Sequence, residues 1–441
     1  MAPNRTGKQF RNWAGNQVCL PTEIVKPATV NEVSQLVQRA AAEGWRVKAV
    51  GAGHSFTAAA MTDGILVLLD AIDQVESVDT ESGIVVVGAG MRLQALNKLL
   101  DKAGLAMPNL GDIAYQSVAG AIATATHGTG AELGNLATTV VGMEIIDGNG
   151  ERIWCDLEER PELLRVARVG IGALGIVTRV ALQCVPAFDL HAIETVEVLD
   201  DVLDGFHDDA AGNDHFEFFW MPGSRRCLVK RNNRTTEARR PQPKLGYIRD
   251  KIMGENIAFG AVTKVGNKFP ALAPKIAKMV DSGASGRDLI DASHKIFASP
   301  RWVRFYEMEY GIPIEALPET YRRVREFVAG GSEPIFFPIE CRVSAADDIP
   351  LSTAHDRDSA WIAVHVQKGG SYETYFQGIE HILNDYDGRP HWGKLHFQNH
   401  KTLAPRYAAW DEFQAVRAEL DPAGRFANSY TDRVLGAAAT T

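Results

Sequence analysis

The chain has 441 residues, of which 45% are hydrophobic and 23% charged. This ordinary globular composition excludes a wholly disordered, collagen-like or heptad-dominated chain, and the length predicts roughly two to four domains. Lysine and arginine number 46 against 55 acidic residues, giving a formal net charge of −9, which argues against a nucleic acid as partner.

Cysteine use and the N-terminal region bear on the compartment. The five cysteines are an odd number, are widely scattered and include no C-x-x-C pair: Cys19, Cys155, Cys184, Cys227 and Cys341. They favour neither a disulfide framework nor a zinc knuckle, so a reducing compartment fits best. Residues 1–13 lack an apolar core of signal-peptide length, and no stretch approaches the roughly 18 apolar residues of a membrane span. We therefore expect a soluble, cytoplasmic protein with no transmembrane segment.

The N-terminal part alternates between strand and helix patterns. Residues 23–26 form a short strand candidate, and the T-x-x-E capping box that starts at Thr29 opens a helix that Gly44 ends. Residues 46–50 then predict a strand that runs directly into a glycine loop at residues 51–56.

The pattern repeats further on. Residues 65–69 are another strand candidate, residues 79–83 turn a hairpin, and a leucine-rich helix begins near Leu93. Together these elements predict an α+β nucleotide-binding domain. Residues 232–243, which are rich in Arg, Asn, Thr and Pro, are predicted to form a mobile loop.

A glycine loop after a strand leaves backbone N–H groups free to meet phosphate oxygens. The loop here fails two known glycine motifs. The dinucleotide fingerprint G-x-G-x-x-G requires glycine where Phe56 stands, which disfavours an NAD site. The hydrolase elbow G-x-S-x-G requires glycine where Thr57 stands, which disfavours a serine hydrolase.

Residues 117–130 form a second stretch, with almost no bulky side chains and with many hydroxyls. Such a stretch is either a tightly packed turn in the core or the wall of a cofactor site. Two small-residue segments in one domain favour a dinucleotide that lies between them.

Alternation along two later strands groups polar side chains. Over residues 335–343 the apolar residues share one face, which leaves Glu340 and Arg342 side by side on the other. Over residues 361–367, His365 and Gln367 likewise share a face. Taken alone, the Glu340–Arg342 pair is either a neutralising surface ion pair or part of an active site.

Three histidines near the C-terminal end invite a metal site. His396 and His400 are four residues apart and would share a helical face, with His391 close in sequence. No nearby cysteine or paired carboxylate completes an obvious ligand set, so we predict no metal.

Four segments occur in the order found in aldonolactone oxidoreductases: residues 50–55, residues 123–130, Glu340-Cys341-Arg342 and residues 391–394. The chain therefore resembles that group, the L-gulono-1,4-lactone oxidase or dehydrogenase type, within the vanillyl-alcohol-oxidase type of FAD flavoproteins. The resemblance covers nearly the whole chain, and the combination is far more specific than any one motif.

The resemblance implies an α+β fold with a two-part FAD-binding domain and a cap domain built on an antiparallel sheet with flanking helices. It divides the chain into an FAD-binding domain at residues 13–186 and a substrate (cap) domain at residues 187–390. Residues 391–441 would form a C-terminal segment that returns to the flavin.

The resemblance also implies FAD as cofactor, covalently bound through His54 to the C8 methyl of the isoalloxazine. The alternative for this residue is a loop histidine that only hydrogen-bonds phosphate. The residues implied to surround FAD are Ala49, Val50, Gly51, Ala52, Gly53, His54, Ser55, Ser117, Gly120, Thr124, Ala125, Thr126, His127 and Ile176.

The implied reaction removes a hydride from a carbinol carbon to flavin N5, while the hydroxyl proton leaves to a base or to solvent. The implied catalytic residues are Glu340, Arg342 and Lys394. A fixed cation would stabilise the charge that develops on the reduced flavin, with Lys394 as first choice and Arg342 as second. Glu340 would bind substrate hydroxyls, and the implied substrate contacts are Asp112, His365 and Gln367.

The implied substrate is an aldono-1,4-lactone such as L-gulono-, L-galactono- or D-arabinono-lactone, which would yield an ascorbate-type product. The alternative is an alditol such as xylitol or sorbitol. Alditol oxidases of this group carry smaller hydroxyl residues at the positions of Asp112 and Gln367, and this difference weakens the alternative.

Two further expectations follow from the resemblance. Gly111 stands where related dehydrogenases have alanine, and it would let molecular oxygen reach the flavin; a redox acceptor such as cytochrome c is the alternative. A flavoprotein that has lost catalysis and serves binding or assembly is a second class of function, which the joint presence of Glu340, Arg342 and Lys394 opposes.

Overall fold

The computed structural model describes residues 8–243, 286–298, 303–331 and 335–438. Near its N-terminus two short strands pair, β1 (Phe10–Arg11) and β2 (Val18–Cys19). A parallel sheet of three strands follows: β3 (Glu23–Val25), β4 (Val47–Val50) and β5 (Ile65–Leu68), with β5 in the middle. Within the described residues no helix is both long and apolar enough to cross a membrane.

Helix α1 (Val30–Glu43) connects β3 to β4, and its ends are set by the residues predicted from sequence. The Thr29 hydroxyl accepts the Glu32 N–H at 3.2 Å, and Gly44 follows the helix with a φ of 71°. The Glu32 carboxylate accepts the Ala28 N–H rather than that of Thr29, so the capping box closes one residue earlier than its usual form. Strand β4 ends at the glycine loop, as predicted.

A second, antiparallel sheet of five strands, in the order β10-β9-β11-β7-β6, completes the N-terminal part. Its strands are β6 (Val75–Val78), β7 (Ile84–Gly88), β9 (Val140–Ile146), β10 (Arg152–Asp156) and β11 (Ile176–Gln183). Its helices are α2 (Leu93–Lys102), α3 (Val118–Ile122) and α4 (Pro161–Ala167). The predicted hairpin joins β6 to β7, and Leu93, Leu96 and Leu100 of α2 are buried in this core.

The small strands β8 (Leu105–Ala106) and β12 (Val185–Pro186) pair before the chain enters an eight-stranded antiparallel sheet. Its strands, in spatial order, are β16 (Arg287–Ala292), β13 (Asp189–Val198), β15 (Arg226–Thr235), β14 (His215–Trp220), β18 (Ile339–Ser344), β19 (Ser359–Gln367), β17 (Phe305–Pro313) and β20 (Arg389–Pro390). The helices of this part are α5 (Leu199–Asp204), α6 (Phe206–Gly212), α7 (Ser293–Phe297), α8 (Leu317–Gly330) and α9 (Glu373–Asn384). One face of the sheet packs on α5, α6, α8 and α9, which leaves the other face for a site.

The C-terminal segment folds back onto the N-terminal part. Its helices are α10 (His400–Leu403), α11 (Trp410–Leu420) and α12 (Ser429–Leu435). Phe413 and Val434 are fully buried in the same core as the five-stranded sheet, and Phe426 is buried in the core of the parallel sheet. The expected α+β architecture, with a large antiparallel sheet and flanking helices, is confirmed.

Two sequence predictions are wrong in part. The strand predicted at 335–343 begins only at Ile339, and Phe337 packs with Phe56 and Phe305 instead of sharing the core face of Ile339 and Cys341. The loop predicted at 232–243 begins inside β15, whose last residues pair with β13. Polar composition suggested a loop because a strand at the sheet surface tolerates polar side chains as readily as a loop does.

Candidate active site

Two depressions meet at the glycine loop. The first, which we call the loop groove, is lined by residues 49–55 after β4 and by small residues around α3. The second, which we call the sheet cavity, lies between the loop and the open face of the eight-stranded sheet, where Glu307, Glu340 and Arg342 line it. His54, Ser55, Gln116 and Thr124 line both. A ligand that fills the groove therefore reaches the cavity at these residues.

Glycine is required in the loop groove for steric reasons. A Cβ on Gly51 would lie 1.9 Å from the Ser117 Oγ, and a Cβ on Gly120 would lie 2.8 Å from the same atom. Gly53 adopts a φ of 68°, a conformation that side chains disfavour. The glycines thus let two backbone segments approach closely, and such a cradle fits an extended dinucleotide such as FAD.

Most residues predicted to surround FAD line the loop groove: Ala49, Val50, Gly51, Ala52, Gly53, His54, Ser55, Ser117, Gly120 and Thr124. Thr126 and His127 line the sheet cavity instead. Ala125 and Ile176 are buried in the core and line neither depression. For Ile176 the wall is formed by its neighbours Gly175 and Val177, because alternate residues of a strand point to opposite faces.

His54 has an unsatisfied nitrogen where the groove and the cavity meet. Its Nδ1 is buried and has no hydrogen-bond partner in the described part of the chain. Burial lowers the pKa of His54 to about 4, and the charges of Arg92 and Lys394 add to this effect. The imidazole is therefore neutral at neutral pH, with the ring of Trp13 stacked at a tilt beside it, 5.5 Å between centroids. A buried polar atom without a partner fits a site completed by a bound group.

Arg342 connects three carboxylates in the sheet cavity. Its guanidinium lies 2.9 Å from Asp112 and 3.0 Å from Glu217, and it also contacts Glu340. Glu217 is in turn paired with Lys230 at 2.8 Å. The predicted facing of Glu340 and Arg342 is thus found, and the structure adds Glu217, a residue of β14 that no sequence pattern had singled out.

Glu340 shares Arg342 with the two other carboxylates. Burial raises its pKa most; Arg342 opposes this effect, while the charges of Asp112 and Glu217 add to it. Its Oε1 is in ion-pair contact with the Arg342 guanidinium. The carboxyl group, which can hold a proton near neutral pH, lines the sheet cavity.

Lys394 reaches the sheet cavity beside two carboxylates of β17. Its ammonium contacts Glu307 and lies 3.8 Å from Glu309. Burial lowers the pKa of Lys394, but the charges of Glu307 and Glu309 outweigh burial and raise it above its ordinary value. Neither carboxylate was predicted from sequence, although residues 306–310 alternate apolar and polar in a way that marks a half-buried strand.

The same two carboxylates face two histidines. His127 Nδ1 lies 2.8 Å from the Gly128 carbonyl, and its Nε2 lies 3.4 Å from Glu309. His365 Nδ1 lies 3.1 Å from the Pro338 carbonyl, and its Nε2 lies 3.5 Å from Glu307. Because a carbonyl oxygen only accepts, each Nδ1 donates its proton, and each Nε2 attracts its carboxylate when it too carries a proton.

His127, Glu309 and His391 offer ligand atoms within 4.8 Å of one another, a geometry that a metal ion could use. The hydrogen bonds argue for protons there instead. His391 Nδ1 accepts the Gly393 N–H at 2.9 Å, which places the proton of the neutral ring on Nε2, and Lys394 already lies beside Glu309. Of the histidines considered from sequence, His396 instead contacts the Tyr430 hydroxyl, and His400 begins α10.

The remaining predicted residues differ in their placement. Gly111 and Asp112 line the sheet cavity next to His127, and His365 lines it from β19. Gln367, two residues further along β19, is half-buried and is not among the residues that line the cavity.

Comparison with known proteins identifies the class. Residues 21–156 match an FAD binding domain. The fold resembles that of a solvent-stable cholesterol oxidase with a TM-score of 0.82 at 19% identity, over 97% of both chains. The parallel and antiparallel sheets, the glycine-lined groove and these matches define an FAD flavoprotein of the vanillyl-alcohol-oxidase type.

Residues 180–434 match the D-arabinono-1,4-lactone oxidase family. The chain is 43% identical over 430 residues to L-gulono-1,4-lactone dehydrogenase of Mycobacterium tuberculosis, covering 97% of this chain and 99% of that protein. It is 31% identical to L-gulonolactone oxidase of Bos taurus, with coverages of 97% and 98%. It is also 31% identical to an alditol oxidase of Streptomyces sp., with coverages of 96% and 98%. The chain belongs to the aldonolactone oxidase family, and the resemblance predicted from its motifs is confirmed.

Proposed function

We propose that this enzyme oxidises an aldono-1,4-lactone at the carbinol carbon beside the carbonyl, with L-gulono-1,4-lactone as the first candidate and an ascorbate-type enediol as product. One observation carries the proposal: in a chain of this family, Glu340, Arg342 and Lys394 line one cavity. This sheet cavity meets the loop groove at His54.

FAD, when bound, supplies the acceptor for the hydride. Residues of the loop groove would hold it, with the N–H groups of residues 51–55 and of α3 toward its phosphates. We assign a covalent link to His54, because its neutral imidazole and unpartnered Nδ1 suit a nucleophilic nitrogen that needs no prior loss of a proton.

Some residues of the sheet cavity would stabilise developing charge, and others would bind the substrate. Lys394, and Arg342 after it, would stabilise negative charge that develops in the reaction, since both are fixed by buried carboxylates and need little reorganisation. Glu340 and Asp112 would accept hydrogen bonds from substrate hydroxyls, and His365 would contact the substrate from β19. Gln367, which does not line the cavity, receives no role in this assignment.

The acceptor and the compartment remain predictions. Gly111 leaves one wall of the cavity without a side chain, which supports molecular oxygen as acceptor; a protein acceptor such as cytochrome c would not need this space. All five cysteines are free thiols, in keeping with the predicted cytoplasmic location.

Anaerobic titration of the holoenzyme tests the proposal. Addition of L-gulono-, L-galactono- or D-arabinono-1,4-lactone is expected to bleach the yellow flavin absorbance, whereas xylitol and sorbitol bleach it far more slowly. A much higher kcat/KM for either alditol than for every lactone would instead establish the alditol oxidase alternative, and no bleaching by any of them would indicate a flavoprotein without this activity.

A further inference from the structure

Glu307 and Glu309 form an unusual buried pair. Each is about 5% exposed, and the alternation of β17 puts both on the face that lines the sheet cavity, while Met308 and Tyr310 between and beyond them are buried on the other side. Two carboxylates so close in a water-poor site must be compensated by cations or protons. The cation here is Lys394, which both carboxylates share, and His365 and His127 lie beside Glu307 and Glu309 respectively.

We propose that Glu307, supported by Glu309, is a positioning residue that fixes the Lys394 ammonium at the sheet cavity and keeps it protonated. The inference rests on the proposed function, in which Lys394 stabilises charge in the reaction. It goes further by assigning the protonation state of that lysine to two residues that no sequence pattern had singled out.

The groups around Lys394 show why Glu307 is decisive. From β17, Glu307 is in contact and Glu309 lies at 3.8 Å. Glu340 of β18 also raises the pKa of Lys394, but less than the two carboxylates of β17 do. His54 and His391 do not compensate the charge, since Lys394 itself lowers their pKa values. The Phe56 ring, 5.4 Å from the ammonium, adds a cation–π contact.

The consequence concerns pH. Burial by itself favours the neutral amine, so a buried lysine that loses its nearest carboxylate releases its proton at lower pH. In the native enzyme the raised pKa of Lys394 keeps the ammonium charged throughout the neutral and mildly basic range. Glu307→Gln keeps the size of the side chain and removes its charge, so the basic limit of every property that needs the ammonium should move to lower pH.

The experiment uses FAD-loaded enzyme and measures the flavin midpoint potential and the rate of lactone-dependent flavin reduction from pH 6 to 10. When each quantity is plotted against pH, we expect the midpoint potential and the reduction rate of Glu307→Gln to begin their fall, seen as a break in the curve, at a lower pH than those of the native enzyme. At the basic end of the range, kcat should drop by about tenfold or more, with a smaller change in KM. Adding Lys394→Arg to this variant should remove the break, because a guanidinium keeps its charge across the range.

Glu380→Gln is the matched control. Glu380 is also a buried carboxylate and contacts β17 through the Tyr310 hydroxyl, but it does not line the cavity. This variant should keep the native pH profiles. If Glu307→Gln does not fold, Glu307→Asp, which retracts the charge from Lys394, is expected to give a break between those of the native and Gln forms.

Native pH profiles of both potential and rate in Glu307→Gln, or an equal shift in Glu380→Gln, would overturn the inference. The potential is measured without any lactone. Failure of lactones to reduce the native flavin would therefore refute the proposed function while leaving the test of Glu307 intact.

Discussion

The proposed covalent link to FAD depends on a single nitrogen atom. His54 Nδ1 has no partner in the described residues, at the meeting point of the groove and the cavity. We predict that acid precipitation leaves the yellow colour in the protein pellet, and that His54→Ala releases FAD into the supernatant, where its absorbance is measured. His396 also has a buried, unpartnered Nδ1 but lies outside the groove, so His396→Ala should keep the colour in the pellet. Release of colour from the native protein would refute the covalent link and leave FAD binding untouched.

The absence of a side chain at Gly111 bears on whether molecular oxygen is the electron acceptor. A Cβ on Gly111 would lie 3.0 Å from the His127 carbonyl oxygen and 3.6 Å from the Thr126 Cγ2. An alanine side chain would therefore be tightly packed at this position and would narrow the sheet cavity. We predict that Gly111→Ala slows reoxidation of substrate-reduced enzyme by oxygen about tenfold, since small voids in packed interiors close with one carbon.

Stopped-flow mixing with aerated buffer measures this rate. A Cβ on Gly330, at the end of α8, meets no atom within 4 Å, so Gly330→Ala is the control and should reoxidise at the native rate. If the native enzyme takes many minutes to reoxidise in air but reduces cytochrome c readily, it is a dehydrogenase despite Gly111.

At the scale of elements, hydrogen bonds join the start of α12 to residues 58–61, and residues 59–61 also line the loop groove. The side-chain Oδ1 of Asn428 accepts the Thr431 N–H and caps the helix, while its Nδ2 donates to the backbone carbonyls of Ala58, Ala59 and Met61. These bonds are partly buried, so loss of the amide leaves carbonyl groups without their partner, which costs about 1–3 kcal/mol beyond the cap itself.

Asn399 provides the matched comparison, because it makes the same capping box at α10 without contacts to residues 58–61. Denaturant unfolding should show that Asn428→Ala loses about 2–4 kcal/mol of unfolding free energy, against about 1 kcal/mol for Asn399→Ala. Equal losses would mean that the three carbonyl contacts contribute nothing to stability.

At the scale of the whole molecule, Lys48 joins three distant parts of the chain. It lies on β4, is 2% exposed, and donates from Nζ to the carbonyls of Gly172 and Phe426, both at 2.9 Å. Burial lowers the pKa of Lys48 from 10.5 to about 7, with Arg417 adding to this effect and Asp421 and Asp432 opposing it. A neutral amine still has two N–H groups, which suffice for the two carbonyls.

The sign of the pH effect follows from proton counting. Between the folded pKa near 7 and the unfolded value of 10.5, the unfolded chain binds a proton that the native protein lacks, so stability rises with pH by at most about 1.4 kcal/mol per unit. Lys48→Met should abolish this part of the rise in unfolding free energy between pH 7 and 10, whereas exposed Lys401→Met should keep it. An unchanged slope in Lys48→Met would show that this lysine is charged in the native state.

Local patterns in the sequence determined much of this molecule. Thr29 and Gly44 mark the ends of α1, the glycine loop follows β4, and Glu340 and Arg342 share a face of β18, because caps, turns and strand alternation depend only on residues a few positions apart. The order of such segments was also enough to identify the family.

Only the tertiary structure decided which side chains complete the site. Glu217 and Glu307 meet Arg342 and Lys394 across strands that are far apart in sequence, His127 turns to the cavity rather than to the groove, and Phe337 leaves the face predicted for it. The physical reason is that local spacing fixes which face of an element a residue occupies, whereas the partner of that face depends on how distant strands pair and how the chain packs between them.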